Sequence, residues 1–150
     1  MQDRLSAADR VLVQGLQKQI SDEPDAIQRD DLFVRLGGVM SHAQAFDEFA
    51  DSAALPPDYR GHNETWTDVL RRQAQGIDPA QLTRITSPVL MVHGEYDPHP
   101  GREIHATPRT HVSQLDYISL PRCGHRPWLE RHASETFLGI TRAWLTDSQS

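Results

Sequence analysis

Two residues in this sequence are of the types that can manage a proton together. Asp97 lies four residues past His93, in a stretch of turn formers over 95–101, and His125 lies five residues past Leu120 in the loop 121–130. A carboxylate hydrogen-bonded to one imidazole nitrogen fixes the ring's tautomer and stabilises the imidazolium. The other nitrogen is then left to act as general base. That is the acid–base half of a nucleophile–histidine–acid triad. An Asp-Pro turn beside an unrelated loop histidine is the alternative, and spacing alone does not choose between them.

The elements that would hold the two residues are legible. After Pro88 comes the short apolar run 89–93, closed by Gly94, which reads as a strand buried on both faces and so belongs to a parallel sheet. A modest helical stretch through Thr107 follows, then a second strand over 115–120. The last helix is expected over 133–145, with Ala133, Phe137, Ile140 and Trp144 facing inward. In a β-α-β unit the crossover is right-handed and the strands are parallel, so both loops leave from the same sheet edge, where open α/β folds bind ligands. Neighbouring strands are about 4.8 Å apart, close enough for Asp97 to approach His125.

The first half reads as helices. Leu5, Ala8, Leu12, Leu16 and Ile20 recur at helical intervals behind Ser6, a capping residue with Asp9 three positions on, and this helix should stop before Pro24. A second apolar face, Ile27, Phe33, Val34 and Leu36, runs into Gly37-Gly38 as a helix exit. Ser41 would cap a third helix carrying Phe46, Phe49, Ala50 and Ala53, ended by Pro56-Pro57. Asn63 would open a fourth, with Trp66, Val69, Leu70 and Ala74 inward and Gly76 past its end; Asp78-Pro79 would start a short fifth through Leu82. The expected organisation is a helical region over 1–76, a linker with a short helix over 77–87, and an α/β portion over 88–150.

Composition narrows the partners. Fifteen basic residues stand against 21 acidic ones, net −6, with no cluster of Lys and Arg to neutralise phosphates, so nucleic acid is not expected and a small-molecule substrate is. The longest aliphatic stretch, 89–92, is far short of the roughly 20 residues of a bilayer span, so no membrane partner is expected. The N-terminus lacks the pattern of a secretory signal and Cys123 has no partner for a disulfide, which makes cytoplasm the expected compartment. Fourteen of the fifteen basic residues are Arg, a bias that codon usage in a GC-rich genome explains as well as anion binding does.

The segment Ile85-Thr-Ser-Pro-Val-Leu-Met-Val-His-Gly-Glu-Tyr-Asp97 resembles the strand that leads into the acid of an α/β-hydrolase, and Leu120-Pro-Arg-Cys-Gly-His125 resembles the histidine loop of that family. The order, acid then histidine, is the family's order. The resemblance covers 85–145. It implies a fold that is α/β, the C-terminal part of an α/β-hydrolase (parallel β-α-β-α) preceded by a helical cap. It also implies hydrolysis of an ester, amide or related bond, with Asp97 as orienting acid, His125 as general base and no cofactor. By the same resemblance Phe46, Phe49 and Trp66 would line an apolar substrate pocket, although each read singly is a core residue of a helical subdomain.

The family's nucleophile elbow, G-x-S-x-G, does not occur in these 150 residues. Ser41 follows Val39-Met40 where the elbow needs a tiny residue, and reads as a helix cap. Cys123, two residues from His125 in one loop, could be aimed at that imidazole only through a strained backbone. Two strands leave open edges, so the simplest expectation is the C-terminal portion of a hydrolase whose elbow lies on sequence not present here. The rival is a non-catalytic binding protein that self-associates or pairs another chain through that edge; a third reading is a ligand-sensing helical domain over 1–76. His93, His99, His105 and His111 fall every six residues, which matches neither helical nor metal-site spacing, so no metal site is expected.

Overall fold

The computed structural model describes residues 4–49 and 58–147, with the backbone alone for 78–80. Among the described residues the chain is mixed α/β: helices α1 (Ala7–Asp22), α2 (Ala26–Gln44), α3 (Tyr59–Ala74) and α4 (Ile77–Leu82), strand β1 (Val89–Gly94), helix α5 (Gly101–Arg109), strand β2 (Leu115–Leu120), a 3-10 turn at Pro127–Leu129 and helix α6 (Ser134–Asp147). Contacts divide it into two units, Met1–Ala43 with Ser52–Arg71, and Gln44–Asp51 with Arg72–Ser150. The expected partition into 1–76, 77–87 and 88–150 therefore differs from the observed one at the described segment 44–49, which belongs with the α/β unit.

In the helical unit Ser6 caps α1, its Oγ accepting the Asp9 amide at 3.0 Å. Leu5, Val13 and Ala43 form the core, with Leu36, Val39 and Met40 packed against it. That packing explains the main departure from expectation. Helix α2 runs through Gly37, Gly38 and Ser41 without a break, because Leu36, Val39, Met40 and Ala43 continue its apolar face against α1. Two helical glycines cost about 2 kcal/mol together, which burial of that face offsets. Ser41 is thus a mid-helix residue, and the expected third helix is absent over 45–49; its Ala50, Ala53 and proline stop lie outside the described residues. Helix α3 begins four residues before Asn63 because Asp58 caps it, taking the amides of Arg60 and Gly61 at 3.0 and 2.9 Å. No α3 residue is fully buried, and of the residues expected to face inward Trp66 and Leu70 are exposed and Val69 is half-buried. Phe33 of α2 meets Tyr59 edge-on, centroids 5.4 Å apart, and Asp30 accepts the Tyr59 amide.

In the α/β unit β1 and β2 pair in parallel, from Val89 opposite Leu115 to Gly94 opposite Leu120. The expected strand–helix–strand order is present. Gly76 takes φ +66°, the left-handed conformation glycine adopts without a Cβ penalty, and α4 starts directly after it, one residue before Asp78. Strand β1 is half-buried rather than covered on both faces, because among the described residues the sheet has two strands. Leu120, Cys123 and Ala133 form the core of this unit, with Val92, Ile118, Phe137 and Ile140 against it, so α6 docks by its expected face.

Candidate active site

The ends of β1 and β2 are brought together by close backbone approach. The amides of Glu95 and Tyr96 donate to the carbonyls of Leu120 and Cys123 at 2.9 and 2.8 Å. Gly94 makes this possible: a Cβ there would lie 2.2 Å from the Gly124 oxygen and 2.3 Å from that of Cys123. Backbone cannot yield as a side-chain tip can. Gly94→Ala is therefore expected to cost about 3 kcal/mol, read as a shift in the urea midpoint, whereas a neutral result would mean the two loops are not held this closely.

Across this junction Asp97 Oδ2 accepts from His125 Nδ1 at 2.7 Å. The Asp97 side chain is 4% exposed and that of His125 48%. This polarity assigns the proton to Nδ1 and leaves His125 Nε2 without a protein partner among the described residues. The other carboxylate oxygen, Oδ1, closes an Asx turn by accepting the His99 amide at 2.9 Å, and it also accepts from His99 Nδ1 at 2.7 Å. His93 backs the group, its Nε2 2.9 Å from the His99 carbonyl and 3.9 Å from Asp97 Oδ2. Burial pushes the Asp97 carboxyl up, but the His99 amide and the His125 and His99 imidazoles outweigh it and hold the group below its usual range. Asp97 is therefore a carboxylate at neutral pH.

No family model, curated protein or solved structure matches the chain.

The histidine loop is fastened from its far side by a residue the sequence reading passed over. Glu130 is fully buried, and its carboxylate accepts the amides of Phe46, Asp47 and Gly124, each at 2.8 Å. The His125 amide donates to the Gln44 carbonyl at 3.0 Å, and those of Phe49 and Arg131 donate to Leu129 and Asp47. Arg126 pairs with Glu48. Segment 44–49 is thus a brace laid along the loop, and Gly124 lets it come close, since a Cβ there would lie 2.1 Å from the Gln44 oxygen.

Of the three aromatic residues expected to line a substrate pocket, Phe46 and Phe49 belong to the α/β unit and Trp66 to the helical unit. Phe46 stacks edge-on with Tyr96 and His132, and Phe49 lies under the Arg131 guanidinium at 4.4 Å. Trp66 is on α3, in the helical unit, and more than half exposed. The cleft beside Asp97, about 500 Å³, is lined instead by His93, Glu95, His99, Arg102, Tyr117 and Ser119 among others. It is a polar cleft, and no signal in the apolar periodicity could have found it. Trp128 packs 6.1 Å from Phe137, against α6.

Cys123 is fully buried. Burial, and then the nearby charges of Glu130, Asp97 and Glu48, push its thiol up to about 12. It is not a nucleophile in this fold. In metal-free buffer the native protein is expected to resist iodoacetamide through pH 9 and to react at once in urea. Because the folded value is raised, the protonated thiol's contribution is complete below the ordinary value near 9. It is lost progressively as pH rises above that, toward 12. Cys123→Ala should flatten this alkaline loss; rapid labelling of the native protein would show the thiol to be accessible.

Proposed function

We propose that these residues form the acid–base half of an α/β-hydrolase-type hydrolase, with Asp97 as the orienting acid and His125 as the general base. The observation that carries the reading is the 2.7 Å bond from His125 Nδ1 to a nearly buried carboxylate, with Nε2 left unengaged by the described residues. In this reading Nε2 takes the proton of an attacking hydroxyl, Asp97 stabilises the imidazolium, and the same proton passes to the leaving group. Water then repeats the sequence on the acyl-enzyme. The nucleophile is not among these 150 residues in elbow form, so another segment or chain supplies it. A serine there gives hydrolysis of an ester, amide or related acyl bond on a small-molecule substrate; an aspartate gives attack at an alkyl carbon. No cofactor is required. No helix among the described residues is long and apolar enough to cross a membrane.

The test is hydrolysis of p-nitrophenyl butyrate by the protein as its own cell produces it. Activity that survives His42→Ala, on exposed α2 surface, and collapses in His125→Ala supports the reading. Equal rates in the wild type and His125→Ala overturn it.

One observation favours a second reading, a binding module. Among the described residues β1 and β2 pair only with each other, so each presents an unpaired outer edge able to accept a strand from a second copy or another chain. A folded, esterase-inactive protein that dimerises through this edge would support it.

A further inference from the structure

We propose that Asp97, His99 and His125 bind a single divalent transition-metal ion of the zinc class. Each offers one donor atom, and the three atoms lie within 4.8 Å of one another. An ion about 2.0–2.2 Å from each donor in a tetrahedral site spaces its ligands roughly 3.4 Å apart, so the imidazole nitrogens now 2.7 Å from carboxylate oxygens draw back slightly, and the widest donor pair closes by little more than about 1 Å. The histidine side chains are free to make that movement, being 44% and 48% exposed. Asp97 is the fixed point, anchored by the His99 amide on Oδ1. The sequence spacing of the histidines argues against metal because only one of the four at six-residue intervals, His99, takes part. The second imidazole comes from the other loop, brought there by the parallel pairing of β1 and β2.

Donor chemistry selects the ion. Two imidazoles and one carboxylate suit zinc, cobalt, nickel or copper, whereas magnesium and calcium prefer all-oxygen shells. Three protein ligands on an exposed rim leave a fourth position for water, the open arrangement of catalytic rather than structural zinc sites. The carbonyl of His99 is already held by His93 Nε2, which steadies the loop that carries the ligand.

The proton balance is simple. Both imidazoles present Nδ1–H to the carboxylate in the metal-free protein; coordination needs the Nδ1 lone pair, so each proton moves to Nε2 through solvent and the rings stay neutral. If His125 is the general base of the hydrolase reading, a bound ion then disables it, because Nε2 now carries the proton. Zinc would inhibit that activity, a consequence that rests on the hydrolase reading, while the binding itself does not.

The experiment is equilibrium dialysis of the metal-stripped chain against Zn²⁺, repeated with Co²⁺ for its visible spectrum. One tightly held ion per chain is expected. His99→Ala should weaken it by about 100-fold or more, at or beyond the upper end of what losing even a supporting partner of a ligand costs. His42→Ala should leave it unchanged. His99→Gln, which keeps the Asx-turn amide and a polar side chain, gives the same reading should the alanine variant fold poorly, with far-UV dichroism as the check. Absence of uptake, or equal uptake by wild type and a folded His99 variant, overturns the proposal. Dialysis reads binding without activity, so its failure is distinguishable from failure of the hydrolase reading.

Discussion

Asp97→Asn is expected to lower kcat for an activated ester by about 10⁴-fold at neutral pH, with the fold retained. The magnitude is that of amidating the buried carboxylate of a serine-protease triad. The two carboxylate oxygens accept from two different imidazoles, each at 2.7 Å. An amide has one acceptor oxygen, and the His99 backbone amide also competes for it. Placing the amide oxygen toward His99 turns the NH₂ group to His125 Nδ1, which must then become an acceptor and move its proton to Nε2. The ring remains in place with its base nitrogen blocked. A loss below about tenfold would mean that the carboxylate orients nothing in the rate-limiting step. The checks are the rate on p-nitrophenyl butyrate and a thermal melt within a few degrees of wild type.

Glu130→Ala should be the most damaging single change to stability in the α/β unit, at about 4 kcal/mol. It strands the amides of Phe46, Asp47 and Gly124, all bonded to one buried carboxylate. Each buried amide left without an acceptor costs about 1–3 kcal/mol, and small domains hold only about 5–15 kcal/mol in total. Glu130→Gln separates the carboxylate's geometry from its volume. The amide oxygen can keep two of the three donors, but the NH₂ group then opposes the third, for an expected loss of about 2 kcal/mol. Urea unfolding reads both. Wild-type stability in either variant would mean that the brace 44–49 is not fastened through this residue. The Gly124 amide is one of the three and His125 is its neighbour, so both variants should also loosen the Asp97–His125 bond.

How much of this was legible depended on whether the signal was local. Strand β2 matched its expected span because the turn formers Ser113 and Pro121 bound the mostly apolar stretch 115–120, and β1 because Pro88 and Gly94 punctuate a run of β-branched and aliphatic residues. Ser6 with Asp9 marked the start of α1. The approach of Asp97 to His125 followed from strand parallelism, which brings both loops to one edge. Local punctuation misled at Gly37-Gly38, where packing of Val39, Met40 and Ala43 against α1 overrode a weak propensity. The cap at Asp58 and the exposure of Trp66 and Leu70 were missed because Asn63 looked a better start and the spacing of the apolar residues a better face.

Glu130 and His99 were missed for a different reason. A glutamate after Trp-Leu reads as surface, and its burial depends on amides about 80 residues earlier in the chain. His99 reads as part of an Asp-Pro turn, and its share of the carboxylate becomes visible only when His125 is seen on the other oxygen. Single-sequence patterns report faces and breaks; they do not report which distant backbone a buried charge will satisfy.

The measurement that tests the acid–base assignment most directly is the ¹⁵N spectrum of the His125 imidazole in metal-free protein at neutral pH, assigned by loss of its signals in His125→Ala. The expected tautomer carries its proton on Nδ1, toward Asp97 Oδ2, and leaves Nε2 bare, and the order is reversed in Asp97→Asn. A proton on Nε2 in the wild type would contradict it, since no nitrogen of His125 would then be poised to accept a nucleophile's proton.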